Sequence, residues 1–513
     1  MGHRLAEVLG CLSLGTDLSL NLPFEKAMRT AAIAASLADA MGAAPDVREA
    51  SYYAALMRFV GCSAFAPEEA GRYSPGDDNQ LRSVFAYVEP GSAPDFLAET
   101  VRHLGAGAPL AARAAALGRL LSDPGAPEAH SHAQCEVGES IARAMGLGEA
   151  VAASLALRDE RYDGRGPLRK AAGDGLPLAA RVADVADVAE LFHGRAGVAG
   201  AIARVRARRG GQLDPDVADV FLRDPRRHLA PAEAPSAVEA FLAAEGPSPR
   251  AVDDEGVERV AAAFSRAIDL KSYFTPGHGA GVAALADGAA ERAGLDAAAR
   301  RLVRVAALLH DLGNLGVPTG LLDKPGPLTR WERERVKTHA HHTAVILRAS
   351  AALAGAAEVA GAAHEYGPEG YPRGVGHASL GLPARLVMAA DVYRALREPR
   401  AHRPARSAAE ASRELRAMAA AGRVCGRAAA WVLEAAGAAP ARKGHWPRGL
   451  SDREVEVLRL AALGRTYREV GELLGVSPRT AQRHVMNVYD KVGVSSRAAL
   501  ALFAVDSGLL DPG

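Results

Sequence analysis

Histidine and carboxylate side chains crowd one part of the chain, residues 270–405, on segments that are otherwise apolar. His278 closes LKSYFTPGH, and His310 with Asp311 interrupts RVAALLHDLGNLGVP. His339, His341 and His342 lie in ERERVKTHAHHTAVIL, His364 and Glu365 in GAAHEYGPEGYP, and Asp391 in VMAADVY. Imidazole nitrogens combined with carboxylates are a donor set for divalent transition metals, and one carboxylate can bridge two ions. Adjacent His and Asp project about 100° apart on a helix, so the His310–Asp311 pair can reach two neighbouring metals with Asp311 as the bridge. Two ions about 3.5–4 Å apart lower the pKa of a bound water and clamp a phosphoryl group for in-line attack. A lone histidine on an Ala-rich helix is ordinarily exposed or satisfied in the core, and His341, His342 and His402 are read that way. His310–Asp311 is different, because burying both at the end of the apolar run VAALL without ligands would be costly.

The elements that must position these side chains are helices. Hydrophobic residues make up 49% of the chain but aromatics only 5%, a mixture that favours helix over sheet. Apolar residues recur at three- and four-residue spacing, as in Leu302, Val305, Ala306 and Leu309. The expected fold class is all-α. At 513 residues the chain is three or four times the size of a typical domain. Lys+Arg 61 against Asp+Glu 60 gives a net charge of +1, which excludes a globally basic nucleic-acid coat and an acidic disordered chain. Cys11, Cys62, Cys135 and Cys425 lie far apart, so neither a disulfide framework nor a zinc knuckle is indicated. The start MGHRLAEVLG lacks signal-peptide character, and no long uncharged apolar stretch occurs. The expectation is a cytoplasmic protein without a membrane span.

An internal repeat organises the chain. Residues 36–61 match 288–313 without gaps at an offset of 252, and 176–192 resemble 382–396. A period this long means a duplicated domain rather than a solenoid. At that offset His278 corresponds to Lys26, His310 to Arg58 and Asp311 to Phe59. The apolar frame survives while the metal-capable side chains do not. One copy therefore carries chemistry, and the other is a structural or interaction partner. Stretches rich in Pro, Gly, Ser and charge at 243–256 and 441–449 mark the breaks.

After Arg448 three short amphipathic helices are readable. Ser451 is an N-cap with Glu454 three residues on, a capping box. Tyr467–Leu474 ends at Gly475, and Ser477–Pro478 opens the third helix. This is a helix-turn-helix, whose second helix enters the major groove. Ala481, Val485 and Val488 should face inward, and Arg479, Gln482, Arg483 and Asn487 outward. Residues 441–513 carry eleven Lys/Arg against eight Asp/Glu, a net +3 inside a near-neutral chain.

From about Asp269 to Arg406 the chain resembles the HD-GYP family of metal-dependent phosphohydrolases, known for cleaving cyclic di-GMP. DLKSYFTPGH, AALLHDLGNLGVP, LLDKPGPLT, VKTHAHHTAVIL, HEYGPEGYP and LPARLVMAADVYRAL occur in family order. The resemblance implies that His278, His310, Asp311, His339, His364 and Asp391 are metal ligands, with His310 and Asp311 at the catalytic centre. Gly370, Tyr371 and Pro372 form the GYP element. Tyr371 and Arg400 are the implied substrate contacts, Arg400 standing where the family often contacts phosphate. The chain departs from the pattern at Ala363, where a second histidine is usual, and at Asn314, where a lysine is usual. YGPE (366–369) is one residue short, and Phe274 replaces the glutamate of three-metal members. Two divalent ions of the Fe or Mn class are implied rather than three.

Residues 1–245 resemble a degenerate version of the same family. Glu160, Asp163–Gly164 and Gly166–Pro167 remain, but Arg158–Asp159 stand at the histidine pair, and His130 and His132 lie near the middle-histidine position. The C-terminal block resembles the LuxR-type DNA-binding domain over its whole length, through LSDREVEVLRL, REVGELLGVSPRTAQRHV and NVYDKVGVSSRAAL. That resemblance makes Arg479, Thr480, Gln482, Arg483 and Lys491 the candidate DNA contacts. Ala481–Gln482 replace the usual Val–Lys, a change that implies either weaker affinity or a shifted base preference, since glutamine favours adenine where lysine favours guanine.

The expected architecture is thus a degenerate HD-type sensor or scaffold domain at 1–245, an HD-GYP-like phosphohydrolase domain at 250–440 and a LuxR-type domain at 446–513. The expected function is transcription regulation, with the metal and nucleotide domain coupled to binding of double-stranded DNA, as a homodimer. The alternative is an active phosphodiesterase hydrolysing cyclic di-GMP or a related nucleotide.

Overall fold

The computed structural model describes residues 2–73, 77–89, 92–103, 109–123, 125–437 and 446–510. Among these residues α-helices dominate, and the one strand ladder pairs His3 with Val252 and Arg4 with Ala251, antiparallel. The all-α expectation holds. No helix among the described residues is long and apolar enough to cross a membrane. The break anticipated at 441–449 falls in part on 441–445, outside the described residues.

The chain forms two compact units, Met1–Ser63 with Glu68–Ala263, and Ala64–Pro67 with Phe264–Gly513. In the first, helix Lys26–Ala40 packs on Pro45–Leu56, and the long helix Leu178–Arg208 lies against both. That helix breaks at Ala196 and Gly197, where the dihedrals leave the helical region. The stretch 243–256 is more ordered than its composition suggests. Its residues 251–252 pair with the N-terminal strand, and the Glu245 carboxylate accepts from Arg4 Nε at 2.5 Å, Tyr53 Oη at 2.7 Å and Arg250 N at 3.0 Å.

In the second unit, helices His278–Arg292, Ala297–Leu309, Leu382–Arg397 and Gly426–Gly437 pack on one another. Helix Arg330–Leu347 is started by a capping box of Thr329 and Glu332, and it packs against the turn Leu312–Gly316. Helix Ala297–Leu309 begins at Asp296, whose carboxylate accepts from Ala299 N at 2.8 Å. Val303, Ala306, Ala307 and Leu309 bury its inner face. It stops at His310. There Thr343 of the neighbouring helix donates to the His310 carbonyl at 3.1 Å and accepts from Gly313 N at 2.9 Å, so two backbone groups freed at the helix end are satisfied.

The repeat read from the sequence is also a repeat of contacts. The Asp17 carboxylate accepts from Ala27 N at 3.2 Å, and Asp269, 252 residues on, accepts from Gly279 N at 3.2 Å. Gly61 lies directly against the Gln134 carbonyl, and Gly313 directly against the His339 carbonyl. A Cβ at either glycine would overlap backbone of the facing helix. Gly313→Ala is expected to destabilise the second unit by about 2–3 kcal/mol. Gly326→Ala, with open space around it, should be near neutral. Thermal or urea denaturation of the two variants checks this.

Candidate metal centre and nucleic-acid interface

Four helices and one loop deliver six donors to one place. His278 opens helix His278–Arg292, and His310 and Asp311 follow the end of Ala297–Leu309. His339 sits within Arg330–Leu347, Asp391 within Leu382–Arg397, and His364 in the loop after Ala354–Ala360. His278, His310, His339 and Asp391 are buried, and the side chains of His364 and Asp311 are only 11% and 17% exposed.

The Asp311 carboxylate is shared between two groups. Its Oδ1 lies 3.5 Å from His339 Nε2 and 3.7 Å from His364 Nε2. Its Oδ2 lies 3.6 Å from His310 Nε2 and 3.9 Å from His278 Nε2. Asp391 closes the other side, with Oδ1 at 3.2 Å from His278 Nε2 and 3.7 Å from His310 Nε2, and Oδ2 at 3.6 Å from His364 Nδ1. Most of these separations exceed hydrogen-bond length. The Nε2 atoms of His310, His339 and His364 are buried and have no hydrogen-bond partner. A polar atom left so is costly, and three converging on one carboxylate fit a ligand that is not itself a protein group. His278, His310 and Asp311 form one group able to hold a divalent ion, and Asp311, His339 and His364 form a second.

The other ring nitrogens are occupied, which sets the direction of the free ones. His310 Nδ1 is 2.7 Å from the Ala307 carbonyl, and His339 Nδ1 is 2.7 Å from the Val336 carbonyl. His278 Nδ1 is 2.8 Å from Glu398 Oε2. In a neutral ring whose Nδ1 carries the proton, Nε2 presents a lone pair to the centre. Burial opposes charge on Asp311, yet His310, His364 and His339 hold its carboxyl well below the usual range. Burial likewise acts against His278, but Glu398 and Asp391 push it up to about 10. Burial and the nearby His364 push His339 down to about 4.

The loop after His364 is folded back onto it. The Glu365 carboxylate, fully buried, accepts from Arg373 N and Val375 N, both at 2.9 Å. Tyr371 N donates to the His364 carbonyl at 3.0 Å. The Tyr371 ring then stacks on the His364 imidazole, with centroids 5.1 Å apart and planes 16° apart. Tyr371 therefore flanks the six donors. Ala363, buried beside them, offers no donor. Arg400 is otherwise engaged: Nη1 donates to the Phe274 carbonyl and Nη2 to Glu398 Oε2, each at 3.1 Å. The rings of His341 and His342 meet edge to face, with centroids 5.9 Å apart.

Sequence reasoning missed Glu398. Its carboxylate accepts from His278, from Arg394 Nε at 2.6 Å and from Arg400. The available signal was its place at the C-terminal end of the helix that carries Asp391.

The first unit fills the same frame with different chemistry. Lys26 Nζ bonds Asp187 Oδ1, and Arg58 Nε lies 3.3 Å from Asp187 Oδ2. Arg58 Nη1 also meets Asp184 at 2.5 Å. Phe59 lies under Lys26 Nζ at 4.6 Å and the Arg158 guanidinium at 5.1 Å. Two fixed cations thus neutralise Asp187, whose carboxyl stays below its usual range against the effect of burial. By its contact with Gly61, Gln134 occupies the position of His339. His130, one turn earlier, instead binds Glu69 at 3.0 Å and Gln134 at 2.9 Å. His130 and His132 thus lie near the middle-histidine position and not at it: helix Ala126–Ala144 continues past them before it meets the glycine.

At the C-terminus, helices Asp452–Ala462, Tyr467–Leu474 and Pro478–Val492 form as the caps dictate. Gly475 turns the chain at φ 69, and Ser477 Oγ accepts from Thr480 N at 3.1 Å. Ala481, Val485 and Val488 are buried, while Arg479, Gln482, Arg483 and Asn487 are exposed on the opposite face. Thr480 is half-buried, and Lys491, exposed, pairs with Glu454 at 2.8 Å. A further helix, Arg497–Asp506, packs against the first of these.

The HD domain profile matches residues 262–424, and the profile of the luxR family of bacterial regulatory proteins matches 448–504. The chain therefore joins an HD domain to a luxR-type helix-turn-helix domain. Its HD domain is similar to those of HD-GYP phosphodiesterases. The 3'3'-cGAMP-specific phosphodiesterase 3 of Vibrio cholerae is 34% identical over 278 residues, 53% of this chain and 60% of that protein. The cyclic di-GMP phosphodiesterase response regulator RpfG of Xanthomonas campestris is 36% identical over 119 residues, 23% of this chain and 32% of that protein. The matched segments thus span about 60% and a third of these relatives' lengths. A crystal structure of a cyclic GMP-AMP specific phosphodiesterase of V. cholerae has the same fold, with a TM-score of 0.57 at 24% identity over 86% of this chain and 99% of that one.

Glu398→Gln keeps the shape of the side chain but removes the charge that orients His278. It is expected to weaken Mn2+ binding about tenfold, measured by competition with a chelator, with the melting temperature little changed.

Proposed function

We propose that this protein is a DNA-binding transcription regulator whose HD domain holds two divalent cations of the Fe or Mn class and acts on a cyclic dinucleotide. The observation that carries the reading is the trio of buried, partnerless Nε2 atoms facing the shared Asp311 carboxylate, in a chain that also bears a luxR-type reader. His278, His310 and Asp311 would hold one ion, and Asp311, His339 and His364 the other, with Asp391 as an adjacent ligand. Such ions supply an activated water and neutralise phosphate charge. His310 and Asp311 keep the donor set oriented at the reacting centre, and Tyr371, stacked on His364, offers a face to a base or ribose. Arg400 is held by Glu398 and the Phe274 carbonyl, and its remaining N–H groups are what it can offer a phosphate.

The substrate class rests on the relatives, one named for 3'3'-cGAMP and one for cyclic di-GMP. In the domain scheme 1–245, 250–440 and 446–513, the first domain serves as scaffold, because Lys26 and Arg58 stand where ligands would be. The reader binds double-stranded DNA through Arg479, Thr480, Gln482, Arg483 and Lys491, as a homodimer in the cytoplasm. The second reading, an active phosphodiesterase with DNA binding mainly for localisation, is favoured by the near-complete donor set.

Metal analysis of the purified chain should find about two ions per chain. Asp311→Ala should lose both ions, together with hydrolysis of cyclic di-GMP and 3'3'-cGAMP. Metal-free, inert wild-type protein would reject the metal reading. In gel-shift assays, Arg483→Ala should weaken specific DNA binding by about tenfold or more. Equal binding by wild type and variant would exclude Arg483 as a base contact.

A further inference from the structure

We propose that the reader domain braces the HD site: it docks on the loop Tyr273–Gly277, the segment that delivers His278, and so couples metal retention to its own docking. The inference deepens the function proposed above and rests on its assignment of His278 as a cation ligand.

The loop is held from two sides. On the outer side, the Arg497 Nη1 atom donates to Tyr273 Oη at 3.0 Å, and its guanidinium lies 5.3 Å from the centre of the Tyr273 ring. The Tyr273 ring also lies under the turn that ends helix Asp452–Ala462. A Cβ at Gly464 would stand 2.5–2.8 Å from the ring atoms, and Gly464 has φ +78. Only glycine lets that turn come so close while adopting that conformation. At the other end of the loop, Gly277 has φ +79, and a Cβ there would lie 3.1 Å from Val505 of helix Arg497–Asp506. Asp506 of the same helix pairs with Arg266 at 2.8 Å.

On the inner side, two of the holds lead to the site. The Phe274 carbonyl accepts from Arg400, whose Nη2 binds Glu398, the carboxylate on His278 Nδ1. Thr275 Oγ1 donates to the Asp269 carbonyl at 2.7 Å, and His278 N donates to the Thr275 carbonyl at 2.9 Å. His278 directly follows Gly277. Metal–ligand distances tolerate shifts of only a few tenths of an ångström, so a loop that moves with the reader moves a ligand out of range. Docking leaves Arg479, Gln482 and Arg483 exposed. The coupling therefore acts through the position of the loop and does not hide the recognition helix. Linkage makes it reciprocal: whatever fixes His278 favours docking, and whatever detaches the reader loosens the metal.

The test uses the full chain and Mn2+ as the probe. Arg497→Ala and Tyr273→Phe, both outside the donor set, should each weaken Mn2+ binding about three- to tenfold, and the double variant should do little more than either alone. In the wild type, adding Mn2+ should slow amide exchange in 497–506. Val505→Ala, which withdraws the contact with Gly277 without adding bulk, should weaken Mn2+ binding in the same direction. Unchanged Mn2+ affinity in all three single variants, with exchange in 497–506 indifferent to Mn2+, would overturn the docking inference while leaving the metal site standing. A wild-type chain that takes up no metal would overturn the underlying reading instead.

Discussion

A largely buried carboxylate has to be neutralised where it stands, and the second unit is organised around that requirement at Asp311. Its two oxygens face four imidazoles contributed by separate elements, and three of those rings carry a buried nitrogen without a partner. The helix ending at His310, the turn pressed against His339 through Gly313, and the loop tied down by Glu365 each have one purpose in common: they aim a donor at Asp311. Removing water from such a cluster strengthens its electrostatics and makes an incomplete set costly.

The first unit meets the same requirement by other means. There Lys26 and Arg58 bring permanent charge to Asp187, so the frame is neutral without any ion. Phe59, at the position of Asp311, removes the acceptor and offers a ring for the cations to lie against. Desolvated ion pairs of this kind contribute little net stability compared with an apolar core, but breaking one leaves an uncompensated charge. Lys26 and Arg58 are thus needed together, since removing either leaves charge on Asp187 less compensated in the core.

The reader domain follows local rules almost entirely. Ser451, Thr466 and Ser477 each cap a helix, Gly475 turns the chain, and the polar face of Pro478–Val492 is left outside. Its fourth helix, unlike these, acquires its significance from what it touches, the loop that leads into His278.

Much of this was legible in the sequence because it depends on neighbours along the chain. Cap residues, the Ala/Leu periodicity, the 252-residue repeat and the donor types at His278, His310, Asp311, His339, His364 and Asp391 are all local or in-register patterns. Contacts between residues distant in sequence were not. The role of Glu398 depends on a ring 120 residues away, the commitment of Arg400 to that carboxylate and to Phe274 depends on how the loop folds back, and the alignment of Gln134 with His339 emerges only from which carbonyl each glycine touches. The sequence by itself determined which side chains could do chemistry and which helices would carry them, since propensity, capping and residue type are properties of short segments. Only the tertiary structure decided which nitrogens face the centre, which carboxylate orients them and what holds the loop behind His278. Those outcomes arise from packing across the chain, where a shift of an ångström changes a ligand into a bystander.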